Sequence, residues 1–255
     1  MTQSLLINKL GQPPGRVAVP DYEGPNAAFT AGPKAGKATL DVIRATLKSG
    51  HITKISPNAK SIMWGYSGGA IPTQFAAQLQ PHYAPDLSDS LLSASSGGII
   101  ANLSSTLTTM DNSKYSGLGL SGLKEFLQEY PDIAKYVKNH LVSDKEDKFH
   151  KASTLCLEPL EDEFKNDAIF SYLDNGHDIL NDESVKPIFL KNIMDEDTPK
   201  VPQFLYHSEK DEVFLIDSVD AFVKKYCDDG GRIQFHEDLE SSHAILFLTG
   251  SPDAL

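Results

Sequence analysis

Long apolar runs, cysteine and metal-binding motifs are all scarce in this sequence. No apolar stretch is long enough to cross a bilayer, so no transmembrane segment is predicted. Cys156 and Cys227 are the only cysteines, and their wide separation matches no metal-binding spacing, so composition favours two buried free thiols. The H-E-x-x-H, C-x-x-C and calcium-loop patterns are absent, and we therefore expect no metal site.

Positive charge is scarce as well. The chain has 23 lysine and arginine residues against 35 aspartate and glutamate residues, which gives a formal net charge of −12. Nucleic acid and anionic membranes would repel such a surface, so neither is expected as a main partner. Neutral lipid is still compatible with this charge, because its capture depends on apolar surface. With 255 residues, of which 40% are hydrophobic, the chain can bury a sizeable core.

Strand and helix signals alternate before residue 98 and again after residue 200. This alternation predicts an α/β fold with a mostly parallel sheet. The segment SASSGG, which starts at Ser93, is predicted to be a loop. The β-prone runs are 16–20, 60–66, 87–93, 201–207 and 232–236, and the predicted helices are 32–50, with Gly50 as its C-cap, 70–80 and 218–226.

The middle of the chain has a different character. Helix-period segments such as LKEFLQEY alternate there with acidic polar stretches, and no β-rich run of similar quality interrupts them. We interpret this block as an inserted helical cap or lid. The predicted organisation is a first part of the core at 1–97, the cap at 98–186, and a second part of the core at 187–255.

The pentapeptide Gly65-Tyr66-Ser67-Gly68-Gly69 matches the G-x-S-x-G pattern of a nucleophile turn. In such a turn, the serine lies in a strained conformation between a strand and a helix, and small residues allow the two backbones to approach. A predicted strand precedes the pentapeptide and a predicted helix follows it, as the pattern requires. Ser67 is therefore predicted to be a nucleophile, with the Gly68 N–H stabilising an oxyanion. The alternative interpretation is a flexible Ser-Gly turn.

A serine hydroxyl needs a histidine base, and the base needs a carboxylate that orients it. In folds that carry this nucleophile turn, the serine comes first along the chain, the acid second and the histidine last. His243 follows the last predicted strand in a loop, which is where the base belongs, whereas His207 and His236 lie in or beside strands and are predicted to be structural. The remaining histidines are expected to be solvated: His51, His82, His140, His150 and His177.

Four acidic residues compete for the role of the orienting carboxylate. Asp211 follows the strand predicted at 201–207 and is preferred on that position. Glu212 is adjacent but would project differently, and Asp217 lies farther along. Asp238 belongs to the same loop region as the proposed base and is the main rival.

Several segments in the same order resemble one protein family. They are PDYEGPNAAFTAG, LDVIRA, WGYSGGA, YAPDL, YHSEKDEV and YCDDGGRIQFHEDLESSHA. Over nearly its whole length the sequence is similar to the fungal secretory lipases, the lipase A-type α/β-hydrolases of Candida and related fungi. The resemblance implies an α/β-hydrolase core with a helical cap, and a triad of Ser67, Asp211 and His243. It also implies secretion, hydrolysis of triacylglycerols and related esters at a lipid–water interface, and no cofactor.

Measured against the family pattern, the chain is expected to be truncated at both ends. The expected losses are N-terminal strands, the loop with a second oxyanion donor, and a C-terminal segment. The first residues, MTQSLLINKLGQPPG, also show no signal-peptide pattern. The resemblance implies that the cysteine matching Cys156 pairs with an upstream cysteine. It also implies that the cysteine matching Cys227 pairs with a downstream cysteine. Neither partner cysteine is in this sequence.

Three functions follow from these observations. The first is a lipase that hydrolyses triacylglycerol or related carboxylic esters through a Ser-Asp-His acyl-enzyme mechanism, in lipid catabolism. The second is a catalytically impaired or inactive truncated homologue, since one missing oxyanion donor costs a factor of ~100 to 1000 in rate. The third is another enzyme of the same fold, such as a peptidase or an acyltransferase.

Overall fold

A sheet of four parallel strands forms the centre of the structure. The computed structural model describes residues 15–194 and 197–254. Across the sheet the strands follow in chain order: β1 (Ser61–Tyr66), β2 (Leu91–Gly97), β3 (Gln203–Ser208) and β4 (Ile233–Asp238). All three pairings are parallel, so the carboxyl ends of the strands lie at one edge. Ligands bind at this edge in open α/β sheets.

Helices make up most of the rest of the described chain. Two precede β1, one connects β1 to β2, and one connects β3 to β4. In chain order the helices are α1 (Gly32–Lys48), α2 (Gly50–Thr53), α3 (Ala70–Tyr83), α4 (Leu103–Met110), α5 (Ser116–Phe126), α6 (Pro131–His140), α7 (Glu146–Lys151), α8 (Leu157–Phe164), α9 (Lys186–Leu190), α10 (Ile216–Asp228) and α11 (His243–Gly250).

Side chains alternate between the two faces of the sheet, and each face carries helices. On one face, the Gln74 amide of α3 donates to Ser96 Oγ and to Gln203 Oε1, at 2.8 and 3.0 Å. On the other face, Trp64 Nε1 donates to the hydroxyl of Tyr206 at 3.1 Å, and α11 packs beside this pair. Helices α3 and α11 therefore cover opposite faces of one sheet.

The helical block between β2 and β3 shares its apolar core with the sheet. One continuous cluster includes Leu205 of β3 and Phe222 of α10, and extends to Phe126 and Phe164 within the block. Burial of each such side chain contributes about 1.5–3 kcal/mol. Among the described residues of this block, β structure is limited to one isolated bridge between Leu141 and Leu173.

The predicted fold class is confirmed, but three local predictions were wrong. The β-prone run at 16–20 forms no strand, and Val19 is 75% exposed there, because no neighbouring strand pairs with its backbone. Gly50 does not cap α1, which ends at Lys48, and instead begins α2.

The third error concerns SASSGG, which is mostly strand. β2 covers Leu91–Gly97, so the strand begins four residues later than the run predicted at 87–93 and continues through the segment predicted to be a loop. Small side chains are required there because β2 is an inner strand with close neighbours on both faces. A Cβ atom at Gly97 would lie 2.2 Å from the Tyr206 ring.

Candidate active site

Ser67 lies in a sharp turn between β1 and α3. Its φ is +55°, a left-handed conformation that is strained for a residue with a side chain. The close approach of strand and helix explains the glycines around it. A Cβ atom at Gly65 would lie only 2.0 Å from the Gly69 carbonyl oxygen. The strand–turn–helix context predicted for the pentapeptide is therefore present.

Three predicted side chains form one hydrogen-bonded chain at the carboxyl edge of the sheet. Ser67 Oγ lies 3.0 Å from His243 Nε2, and Asp211 Oδ2 lies 2.7 Å from His243 Nδ1. Because the carboxylate faces Nδ1, that nitrogen carries the proton and Nε2 is left as an acceptor for the Ser67 hydroxyl. The arrangement can move a proton from Ser67 to His243.

Asp211 is buried completely, yet it is held in its charged form. Its Oδ1 atom accepts hydrogen bonds from the backbone N–H groups of Val213 and Phe214, both at 2.9 Å. Burial raises the pKa of Asp211, but hydrogen bonds and charge interactions with His243, together with the Phe214 N–H, outweigh burial and leave the pKa below its usual value. A permanent carboxylate thus faces the His243 ring.

None of the three rival carboxylates faces the ring of His243 as Asp211 does. Asp238 Oδ1 accepts from the backbone N–H groups of Glu240 and Ser241, so it organises the loop before α11. Asp217 lies in the first turn of α10. Glu212 does contact His243, but through the backbone: its Oε2 atom accepts the His243 N–H at 3.0 Å.

His243 differs from its prediction in one respect, since it is the first residue of α11 and not a loop residue. Ser242 is the N-cap, and its hydroxyl accepts from the N–H of Ile245. The sequence signal was available, because a serine before an apolar run is typical of a helix start. The ring of His243 packs between Tyr66 and Phe214, with centroids 5.1 Å from each.

Tyr66 is a further residue in contact with His243. The sequence motifs did not identify this contact. Its hydroxyl donates to the His243 carbonyl oxygen at 2.5 Å. Burial raises the pKa of Tyr66 well above its usual value, and nearby carboxylates, Asp211 first, raise it further, so the phenol remains a donor. Because Tyr66 precedes Ser67 in the chain, the turn that carries Ser67 also holds the backbone of His243.

An apolar pocket of about 670 Å³ opens at Ser67 and His243. Its volume suits a small-molecule or acyl ligand. Gly68, the predicted oxyanion donor, lines it next to Ser67. Most of the apolar wall comes from the block between β2 and β3, and charged residues are also present in the lining. The apolar wall residues are Leu103, Leu107, Met110, Leu118, Leu123 and Phe126; the charged ones are Lys114, Glu161, Asp162, Lys165 and Glu212.

Neither a metal centre nor a disulfide occurs in the described part of the chain. Residues 15–194 and 197–254 contain no group of three or more side chains able to hold a metal ion.

Cys156 and Cys227 are free, as composition predicts, but both are exposed, so the prediction of burial was wrong. Cys227 lies outside the set of α10 residues that face the core, and Cys156 precedes the first turn of α8. No helix in these ranges combines the length and hydropathy needed to cross a bilayer.

His207 is structural, as its position in a strand indicates. It is fully buried, its Nδ1 accepts the Ile99 N–H at 3.0 Å, and its Nε2 donates to the Phe214 carbonyl oxygen at 2.8 Å. Since a backbone N–H occupies Nδ1, only the neutral ring fits. Burial lowers the pKa of His207 below its ordinary value of 6.5, although Asp211 opposes this shift.

This geometry predicts a loss of stability in mild acid. As the pH falls below 6.5, the unfolded chain binds a proton at residue 207 before the native protein does. The free energy of unfolding should fall by up to about 1.4 kcal/mol per pH unit in that window, until the pKa of the native state is reached. Urea unfolding between pH 7.5 and 5.5 measures this slope. In His207→Gln the slope should be shallower, and an unchanged slope would contradict the assignment.

Comparison with known proteins identifies the family of this chain. The family model for "Secretory lipase" matches residues 2–255. The chain is 38% identical to Lipase A of Arthroderma benhamiae and 36% identical to Lipase 1 of Candida albicans, and each alignment covers 94% of this chain. These alignments cover 51% and 53% of the relatives, so the chain spans about half the length of the curated relatives it matches.

Solved structures of a lipase and of a hydrolase are also similar to this chain. Candida antarctica lipase A in its closed state superposes with a TM-score of 0.84 at 27% identity, over 92% of this chain and 55% of that one. A putative hydrolase from Legionella pneumophila, at 14% identity and a TM-score of 0.73 over 89% of this chain and 63% of that one, shares the fold. The family model matches nearly the whole length of the chain, and a lipase A of known structure superposes on it. The chain therefore belongs to the secretory lipase family.

Proposed function

We propose that this chain carries the catalytic apparatus of a lipase that hydrolyses carboxylic esters, including triacylglycerols, through an acyl-enzyme. The observation that supports the proposal most directly is the hydrogen-bonded chain from Ser67 through His243 to Asp211 at an apolar pocket. An esterase needs these groups in this order, because the serine hydroxyl is unreactive until a base accepts its proton.

The proposed reaction has two halves. Ser67 Oγ attacks the ester carbonyl carbon while its proton passes to His243 Nε2, and the oxyanion that forms is stabilised by the Gly68 N–H. Asp211 stabilises the resulting imidazolium and keeps the ring oriented. The imidazolium then gives its proton to the leaving alcohol. A water molecule, deprotonated by His243, attacks the acyl-enzyme, and Ser67 regains a proton as the fatty acid leaves.

The helices between β2 and β3 are proposed to be the cap predicted at 98–186, and to hold the acyl chain. The supporting observation is that this block supplies most of the apolar wall of the pocket, while Ser67 and His243 line it from the carboxyl edge of the sheet. The pocket entrance is also the surface that would face a lipid–water interface. For the whole protein we propose action outside the cell, as the name of the secretory family suggests.

A fluorophosphonate probe tests the proposal directly. The purified chain should be labelled at Ser67 and should hydrolyse a p-nitrophenyl ester, and Ser67→Ala should lose both activities. Hydrolysis of tributyrin and of long-chain triacylglycerol, compared with peptide amides, then tests the substrate class. Folded protein that shows no Ser67-dependent labelling would overturn the proposal in favour of a catalytically inactive homologue.

A further inference from the structure

Glu212 contacts the base and the wall of the pocket at the same time. Its Oε2 atom accepts the backbone N–H of His243, and its Oε1 atom accepts the hydroxyl of Tyr115, each at 3.0 Å. Tyr115 immediately precedes α5, whose side chains line the pocket. One carboxylate therefore joins the helical block to the residue that must accept the Ser67 proton.

The first of these contacts satisfies a backbone group that the helix itself leaves unpaired. His243 is the first residue of α11, so its N–H has no acceptor within the helix. A carboxylate is well suited to this position, because it forms a charge-assisted hydrogen bond and interacts favourably with the helix dipole. Hydrogen bonding to this N–H and to Tyr115 keeps the pKa of Glu212 below its usual value although partial burial raises it.

Two consecutive carboxylates thus hold different parts of one histidine. Asp211 binds the ring at Nδ1 and fixes its rotation, whereas Glu212 binds the main chain and fixes the position from which the ring projects. Such contacts matter for a reaction, since displacement of reacting groups by about 1 Å can cost a hundredfold in rate.

We infer that Glu212 is a positioning residue that aligns His243 through its backbone N–H and couples that alignment to the pocket wall through Tyr115. The inference rests on the proposed ester hydrolysis. Glu212 is exposed and lines the pocket. An acyl chain in the pocket removes water from these contacts and strengthens them, so substrate binding and alignment of the base support each other.

Three variants test the inference. Glu212→Ala removes both contacts and should lower kcat on p-nitrophenyl octanoate about tenfold with little change in KM. Glu212→Gln keeps an oxygen for the His243 N–H and an amide for Tyr115, so kcat should recover to within about threefold. Tyr115→Phe removes the wall contact alone and should lower kcat about threefold. In the Glu212→Ala background the Tyr115→Phe change should have no further effect.

A matched control comes from the loop between β4 and α11. Glu240 pairs with Lys210 at the surface, and its side chain is 83% exposed. Glu240→Gln changes the charge near α11 by the same amount as Glu212→Gln but should leave kcat and KM unchanged. Rates of labelling by the fluorophosphonate probe should follow kcat in all variants, because labelling requires only an activated Ser67.

Each result has a distinct meaning. Wild-type protein without Ser67-dependent labelling would overturn the proposed function and this inference together. Normal wild-type labelling, with Glu212→Ala equal to wild type in kcat and labelling rate, would overturn the positioning role alone. A rise in KM without a fall in kcat would indicate substrate binding instead of alignment. Additive effects of Tyr115→Phe and Glu212→Ala would disprove the coupling.

Discussion

Replacing His243 with glutamine is expected to lower kcat for a p-nitrophenyl ester by about 10⁴- to 10⁶-fold. The glutamine amide cannot accept a proton at neutral pH, so Ser67 loses its base, and the 3.0 Å contact between Ser67 Oγ and Nε2 is lost. The fold should persist, because the buried Asp211 carboxylate keeps its hydrogen bonds to the Val213 and Phe214 N–H groups.

The control for this change is His236→Gln. His236 is an exposed residue of β4, on the strand that leads towards α11, and kcat should stay within about twofold of wild type. Steady-state kinetics give the rates, and thermal unfolding by circular dichroism shows that both variants are folded. A folded His243→Gln variant with more than a few per cent of wild-type activity would remove His243 from the mechanism.

The second large effect is expected for Asp211→Asn, with a loss of about 10⁴-fold in kcat. The asparagine oxygen can still accept from the Val213 and Phe214 N–H groups. Its NH₂ group then faces His243 Nδ1, which must become an acceptor. The ring proton is forced onto Nε2, and that nitrogen can no longer take the proton of Ser67.

Asp238→Asn separates Asp211 from its main rival for the role of the orienting carboxylate. Its side-chain oxygen can keep the contacts with the Glu240 and Ser241 N–H groups, so kcat should change by less than about threefold. Parallel measurement of kcat and KM for the two variants is sufficient. A larger loss in Asp238→Asn than in Asp211→Asn would reverse the assignment.

The residues of the candidate site were predictable because their chemistry depends on local pattern and chain order. The G-x-S-x-G pentapeptide requires a particular strand–turn–helix geometry, and the close approach at Gly65 shows why glycine is needed there. Acid and base follow from the rule that catalytic groups lie after the carboxyl ends of parallel strands. Asp211 and His243 each follow such a strand end, after β3 and β4.

Tertiary context decided the features that the sequence did not predict. SASSGG has the composition of a loop, yet β2 passes between the Gln74 side chain and the Tyr206 ring and only small side chains fit. Residues 16–20 have the composition of a strand but lack a neighbour to pair with. The contact of Glu212 with the His243 N–H required knowledge of where α11 begins.

The site residues are brought together over a long stretch of chain, and this has a consequence for synthesis. Ser67 and His243 are separated by 176 positions in the chain. The four-stranded sheet that brings them together forms only when β4 pairs with β3. During translation, the turn that carries Ser67 leaves the ribosome before His243 is synthesised. The nascent protein therefore carries a serine without its proposed base, and the proposed ester hydrolysis can begin only after α11 has docked.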